Sequence, residues 1–429
     1  MAIKLGVIAD DFTGATDIAS FMVQNGWKVS QLLGVPNENT LIPYDVDVVV
    51  IGLKSRSCST EEAIHNSLKS CRWLRDRANC RRFFFKYCST FDSTPKGNIG
   101  PVIDALMDEL QLDLSLICPA IPINGRTVVH GHLFVNGQLL NESGMQYHPV
   151  TPMKDANLLR LIEQQSKGMA GLVDLNCVRQ GGLSIRNYLT ILRCNGIRYA
   201  IVDAMMMEDL MPIAEAVSEM TLVTGGSGLG AALASYHTGL ILYSEYGLSK
   251  SSMGMGKTPP VIGRKAVILS GSCSAVTYQQ VMEYKKFAPA IVLDVEECMN
   301  NPEYSSYLVN WVIRHQKQSL APMLYSTQST DILREIQNKH GVIQSSNAVE
   351  RIFAQVSSEL ICQGFNTFII AGGETSGQVV KKLGIHQLSI EATIAPGVPW
   401  VHDEQSNCWL VLKSGNFGAI DFFKRAQEL

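Results

Sequence analysis

The stretch at residues 366–384, NTFIIAGGETSGQVVKKLG, sets the frame for the whole chain. Phe368, Ile369, Ile370 and Ala371 form a short apolar run, as a buried strand does. Gly372 and Gly373 follow, and glycine tolerates the backbone angles and close approaches of a tight turn. Thr375 or Ser376 is expected to cap the next helix by accepting a backbone N–H bond. Val379, Val380 and Leu383 share one face of that helix, Lys381 and Lys382 lie off it, and Gly384 ends it. A turn of this kind aims free N–H groups and the positive end of a helix dipole at one point. That is an anion site, and phosphate is the usual anion. An ordinary strand-to-helix turn has the same pattern, so the phosphate assignment depends on partners elsewhere in the chain.

Two such partners lie in the same half. Ala266-Val267-Ile268-Leu269 is an apolar strand that ends in the small-residue turn Ser270-Gly271-Ser272-Cys273-Ser274. Trp409-Leu410-Val411-Leu412-Lys413 is another, followed by Ser414-Gly415-Asn416-Phe417-Gly418. Residues 290–293 and 323–326 read as further strands, and residues 348–363 as an amphipathic helix leading into the 366–384 stretch. Three strand-end turns can converge on one nucleotide.

The first half alternates strands and helices from its start, which predicts a mainly parallel sheet. Ligands of such sheets bind beyond the carboxyl ends of the strands. The run Leu5-Gly6-Val7-Ile8-Ala9 stops at Asp10 and Asp11; one should cap the following helix while the other faces the crevice. The strand Val48-Val49-Val50-Ile51-Gly52 leads to Arg56, which can fork onto a carboxylate. The strand at residues 82–87 contains Lys86 and is followed by a loop rich in hydroxyls: Ser89, Thr90, Asp92, Ser93, Thr94 and Lys96. A fourth strand, residues 114–120, precedes a loop with Arg126, His130 and His132. On a strand the two histidines would share a face, but no third ligand accompanies them, and no metal site is assigned. These strand ends suit a small anionic, polyhydroxylated molecule. Solvated loops with surface cations would read the same at each one taken singly.

Two glycine motifs point elsewhere. Gly226-x-Gly228-x-x-Ala231, with Glu245 about 20 residues on, fits the permissive dinucleotide fingerprint and supports a rival nicotinamide enzyme. It sits in mid-chain, however, and its helix breaks by Gly239, so a turn that closes the first domain is the better fit. Lys257 and Thr258 imitate the end of a P-loop, but Ser251 stands where the first P-loop glycine belongs and Pro259-Pro260 blocks the helix that should follow.

Bulk composition narrows the class. The chain has 429 residues, 46% of them hydrophobic, enough for two or three domains with real cores. Its net charge of −3 predicts no nucleic-acid partner. Eleven scattered cysteines without a CxxC pair suit a reducing cytoplasm. The N-terminus does not read as a signal peptide, and the uncharged stretch at residues 220–244 is too rich in Gly, Ser and Thr for a membrane span. The expected layout is an α/β chain with two domains, each a mainly parallel sheet flanked by helices and the active site in the cleft between them. Residues 1–248 bind substrate, 249–261 link, and 262–429 bind nucleotide.

Taken together, Asp10-Asp11-Phe12-Thr13-Gly14-Ala15, Ser270-Gly271-Ser272, Ala371-Gly372-Gly373-Glu374-Thr375-Ser376-Gly377 and Lys413-Ser414-Gly415-Asn416-Phe417-Gly418 resemble the four-carbon acid sugar kinases along essentially the whole chain. The resemblance implies that the first domain holds the acid sugar. It also implies that Ser270, Gly372, Gly373, Glu374, Thr375 and Gly415 contact ATP. The implied reaction transfers the γ-phosphoryl to the terminal hydroxyl of a 3-oxo-tetronate (3-dehydro-erythronate), or of a related acid such as threonate or erythronate. Mg²⁺ would accompany ATP, with Glu374 either reaching it through water or facing the ribose. Arg56, Lys86 and Arg126, with Asp11, Ser93 and Thr94, are expected to bind the acid, and Asp10 or Asp92 to act as base, Asp10 being the first choice. The expected partners are small molecules, with no membrane, and a homo-oligomer is left open. A nicotinamide oxidoreductase and a non-catalytic sugar-acid binder are the competing classes, distinguished by which ligand stabilises the protein.

Overall fold

A computed structural model describes residues 3–42, 44–92, 94–147, 151–239, 257–259, 265–328 and 330–428. The chain divides into two compact units, Met1–Ser252 and Met253–Leu429. The division falls inside the segment expected to be a linker, most of which lies outside the described residues. So does Glu245 of the dinucleotide fingerprint.

The first unit contributes strands β1 (Leu5–Ala9), β2 (Val29–Leu33), β3 (Val48–Gly52), β4 (Phe83–Lys86), β5 (Ser115–Cys118), β6 (Arg126–Val129), β7 (His132–Val135), β8 (Gln138–Leu139), β9 (Met169–Val173), β10 (Ile197–Val202) and β11 (Leu222–Gly225). Eight of these form one parallel sheet in the order β2-β3-β1-β4-β11-β5-β10-β9. β1, β3 and β4 are buried at every position, which is why they read as continuous apolar runs rather than alternating ones. The strand ends that precede Asp10, Asp11, Arg56 and Asp92, and the one that carries Lys86, therefore lie along the carboxyl end of this sheet.

One expectation fails here. Residues 126–139 are not an open loop but a small antiparallel sheet, β6-β7-β8. His130 and Gly131 form its two-residue turn, with φ of 48° and 70°. Positive φ at both centres is the turn geometry that matches the twist of a hairpin. The two histidines consequently do not share a strand face. Asp203, at the end of β10, holds the turn by accepting the N–H groups of His130 and Gly131 at 2.8 and 2.9 Å.

The second unit contributes β12 (Ala266–Ser270), β13 (Ala290–Val292), β14 (Met323–Tyr325), β15 (Thr367–Ala371), β16 (Gln387–Ala395), β17 (Val398–Asp403) and β18 (Cys408–Lys413). The order is β13-β14-β12-β15-β18-β17-β16; it is parallel as far as β18, and the last two pairings are antiparallel. The three small-residue turns leave the ends of β12, β15 and β18, three adjacent strands. Trp400, Trp409, Phe422 and Phe423 pack beneath them in one apolar cluster. The backbone of Lys257 bonds to β16, accepting from Ala392 at 3.2 Å; residues 251–256 of the P-loop-like stretch lie outside the described residues.

The dinucleotide-like motif also proves to be packing. The helix Ser227–Thr238 begins after Gly226 and ends at Gly239, which has φ 71°. A Cβ on Gly226 would come within 2.6 Å of the Pro119 carbonyl oxygen, and one on Gly228 within 2.6 Å of that of Ala120. Glycine is required there because the residues after β5 press against the turn.

Candidate functional site

In the first unit the strand ends bring together a compact set of charges. Asp11 caps the helix Phe12–Gln24, its Oδ1 accepting from the Gly14 N–H at 2.7 Å and its Oδ2 from the Thr13 hydroxyl at 2.7 Å. That settles which of the paired aspartates is the cap. Asp10 is 3% exposed and accepts both Nε and Nη2 of Arg56 at 2.9 Å, a two-pronged ion pair that leaves Nη1 outside it. The same Nη2 lies 3.0 Å from Asp11 Oδ1. Burial pushes the Asp10 carboxyl up, and Arg56 only partly opposes it. Asp11 is held below the usual carboxylate range: burial works against ionisation, but Arg56, Lys86, the Thr13 hydroxyl and the Gly14 N–H outweigh it.

Lys86, at the end of β4, is buried; its ammonium donates to the Tyr87 carbonyl at 2.9 Å and stands 3.9 Å from Asp17. Asp17 was not singled out from sequence. It sits on the buried face of the first helix, accepts the Ser227 hydroxyl through Oδ2, and leaves Oδ1 without a hydrogen bond. Burial lifts its pKa to about 6. The available signal was its helical spacing, four residues after Thr13 and three before Ser20, a polar stripe on a helix buried on most of its faces. Arg126, at the start of β6, is buried, which lowers its pKa, while Cys88, Asp17 and Asp92 act on it in the opposite sense.

Asp92 follows Phe91, which has φ 49° and is fully buried against Tyr87 at 5.5 Å. A bulky residue in the left-handed region stores strain, as loops at ligand sites commonly do. The bend places Asp92 on a small cavity also lined by Asp10, Ser55, Arg56 and Asn98. Its Oδ1 accepts the Thr90 hydroxyl at 2.6 Å. Asn98 fixes the opposite rim by donating to the carbonyls of Ser55 and Cys58 at 2.8 and 3.0 Å. Thr94 closes its own turn, accepting from Gly97 at 2.7 Å, and Ser93 lies outside the described residues.

In the second unit the three turns meet. Gly372, with φ 120°, precedes the helix Gly373–Lys382, so Thr375 and Ser376 lie inside its first turns and are not its cap, contrary to the sequence expectation. A Cβ on Gly271 would lie 2.1 Å from Thr375 Oγ1, and one on Gly415 2.5 Å from Ser272 Oγ. The Gly415 carbonyl accepts the hydroxyls of Ser274 and Thr277, each at 2.6 Å, and Gly372 N–H donates to the Lys413 carbonyl at 2.9 Å. Ser270 is fully buried and shares a 2.8 Å hydrogen bond with Thr327. Glu374 occupies the first turn of the helix, where an anion faces the positive end of the dipole. Small residues are thus used where the three turns press against one another.

Comparison with known proteins agrees with this division. Residues 5–233 match the model of a sugar-binding N-terminal domain, and residues 267–423 that of a nucleotide-binding C-terminal domain. The chain is 49% identical over 426 residues to a 3-oxo-tetronate kinase from Brucella melitensis, covering 99% of this chain and 95% of that one. It is 49% identical over 425 residues to one from Haemophilus influenzae, covering 99% of both. Among solved structures it resembles a protein from Salmonella typhimurium LT2 at 45% identity and a TM-score of 0.84, again with 99% of each chain covered.

Proposed function

We infer the function from one premise: this chain belongs to the 3-oxo-tetronate kinase family, and it carries a sugar-binding domain followed by a nucleotide-binding domain. It is an ATP-dependent phosphotransferase that converts 3-oxo-tetronate (3-dehydro-erythronate) to 3-dehydro-4-O-phospho-erythronate, with release of ADP. The observation that carries this is the meeting of three small-residue turns at adjacent strand ends, in a chain similar over nearly its whole length to such kinases.

Phosphoryl transfer asks a protein mainly to position two reactants and to balance charge. The turns at Ser270, Gly372, Gly373, Thr375 and Gly415 would hold the nucleotide with backbone N–H groups and hydroxyls. Mg²⁺ supplies charge neutralisation on the phosphates, and it is commonly held through substrate oxygens plus one or two carboxylates. Glu374 would reach the ion through water.

In the first unit Arg56, Lys86 and Arg126 would balance the sugar carboxylate. Asp11 would keep Arg56 in place, and Thr94 would border the hydroxyls. The base would be Asp10 or Asp92, and two contacts favour Asp92 over Asp10, the first choice from sequence. Both Asp10 oxygens are engaged by Arg56, so its role is to aim the guanidinium. Asp92 lies on the same cavity, and its one hydrogen bond among the described residues is to a neutral hydroxyl. We assign it the proton of the attacking hydroxyl. All eleven cysteines are unpaired, which suits a cytoplasmic setting.

An assay for ADP with ATP, Mg²⁺ and a panel of four-carbon acids tests this function. ADP should form fastest with 3-oxo-tetronate. Absence of ADP with every acid, or a faster rate with threonate or erythronate, would overturn the assignment at the level of reaction or of substrate.

A further inference from the structure

Lys413 has no role in the account so far, although it is fully buried beneath the nucleotide turns. Its ammonium donates to Thr277 Oγ1 at 3.0 Å and to the carbonyls of Ser414, Gly415 and Phe417 at 3.0, 3.1 and 3.2 Å. The Phe422 ring lies below it, 5.7 Å from the nitrogen to the ring centre. Every acceptor is neutral. On the neighbouring helix Ala275–Tyr284, Glu283 pairs with Lys286, and on the helix Phe422–Glu428, Lys424 pairs with Glu428. β15 and the first turn of the helix Gly373–Lys382 bring no carboxylate into contact with it among the described residues. A buried cation without a counter-ion is costly, and protein sites of this kind normally contain an anion.

The peptide plane makes the consequence explicit. A carbonyl that points at Lys413 turns the N–H of the same peptide away from it. The N–H groups of Gly415, Asn416 and Gly418 therefore face away from the buried ammonium, and none of them donates to an acceptor among the described residues. We propose that Lys413 is a positioning residue for the nucleotide: its ammonium holds the 414–418 turn with carbonyls inward, which presents the N–H groups to the phosphates and adds a positive charge behind them. This rests on the kinase assignment above and deepens it. Burial has moved the amine down to about 7, so its charge is lost as pH rises through neutrality. Deprotonation leaves it fewer N–H donors and sets a lone pair among carbonyl oxygens.

The test uses the full-length protein with Lys413→Met, which keeps the length of the side chain and removes its donors, and with Lys413→Arg. The KM for ATP should rise about ten-fold or more in Lys413→Met, while the KM for 3-oxo-tetronate stays within about two-fold. In the wild type the KM for ATP should rise as pH increases from about 6 to about 9, and the pH dependence should vanish in Lys413→Met. An unchanged KM for ATP in Lys413→Met, or an equal rise in both KM values, would overturn the proposal. If Lys413→Met does not fold, the wild-type profile decides, and a KM for ATP flat across that pH range sinks it. A wild-type protein that forms no ADP removes the kinase assignment and this inference with it; normal wild-type turnover with unaffected variants removes this inference alone.

Discussion

Asp10 and Asp92 share one cavity and differ in what already holds them. Asp10→Asn should release one side of the Arg56 fork and leave a partly buried guanidinium under-neutralised, a class of change that costs about 3–5 kcal/mol when a pair is fully buried. The expected result is lower thermal stability and a raised KM for the acid. Asp92→Asn should instead lower kcat about a hundred-fold with a modest change in either KM. Near-normal kcat in Asp92→Asn, with a collapse in Asp10→Asn at full stability, would return the base to Asp10. Asp17 makes a separate prediction. Its folded pKa of about 6 is above the unfolded value of 3.8, so the folded protein keeps a proton that the unfolded chain gives up. Stability should fall as pH rises from about 4 to about 6, and Asp17→Asn should flatten that part of the curve. An identical slope in the variant would contradict the assignment. From sequence, the strand-end position of Asp10, Asp11, Arg56 and Asp92 was legible because each lies in the loop that follows an apolar run. Which aspartate caps and which pairs was not, since that depends on where Arg56 arrives from a strand 46 residues away.

The turns after β12, β15 and β18 depend on particular glycines. Gly372, at φ 120°, occupies a conformation that side chains rarely adopt, and a Cβ there would sit 3.1 Å from the Ser272 N–H nitrogen. Gly415 has no such backbone demand; a methyl there meets the Ser272 and Ser274 hydroxyls at 2.5 and 3.0 Å. Gly415→Ala should therefore fold and still separate the 414–418 turn from the 270–274 turn. Its KM for ATP should increase about ten-fold or more, with the KM for the acid unchanged, as measured by steady-state kinetics. If the two KM values move together, the turn supports the fold and not the nucleotide. The three turns were readable as a strand followed by small residues. The hairpin at 126–135 was not, because His130 at φ 48° is an uncommon residue for a turn that usually shows Asn or Gly.

For the whole molecule, alternation of apolar runs with helical spacing was enough to read two α/β units, since parallel strands are buried on both faces and must be apolar. The antiparallel β16-β17 hairpin escaped notice because its strands, at nine and six residues, carry mixed composition and no tight asparagine–glycine turn. No helix among the described residues is long and apolar enough to cross a membrane. Transfer of phosphate to the terminal carbon's hydroxyl is read out by phosphorus NMR of the product. With protein, ATP, Mg²⁺ and 3-oxo-tetronate, a new phosphomonoester resonance should grow as ADP appears, split into a triplet by the two protons on C4. A doublet would place the phosphate on C2, and inorganic phosphate alone would show hydrolysis of ATP; either result contradicts the account.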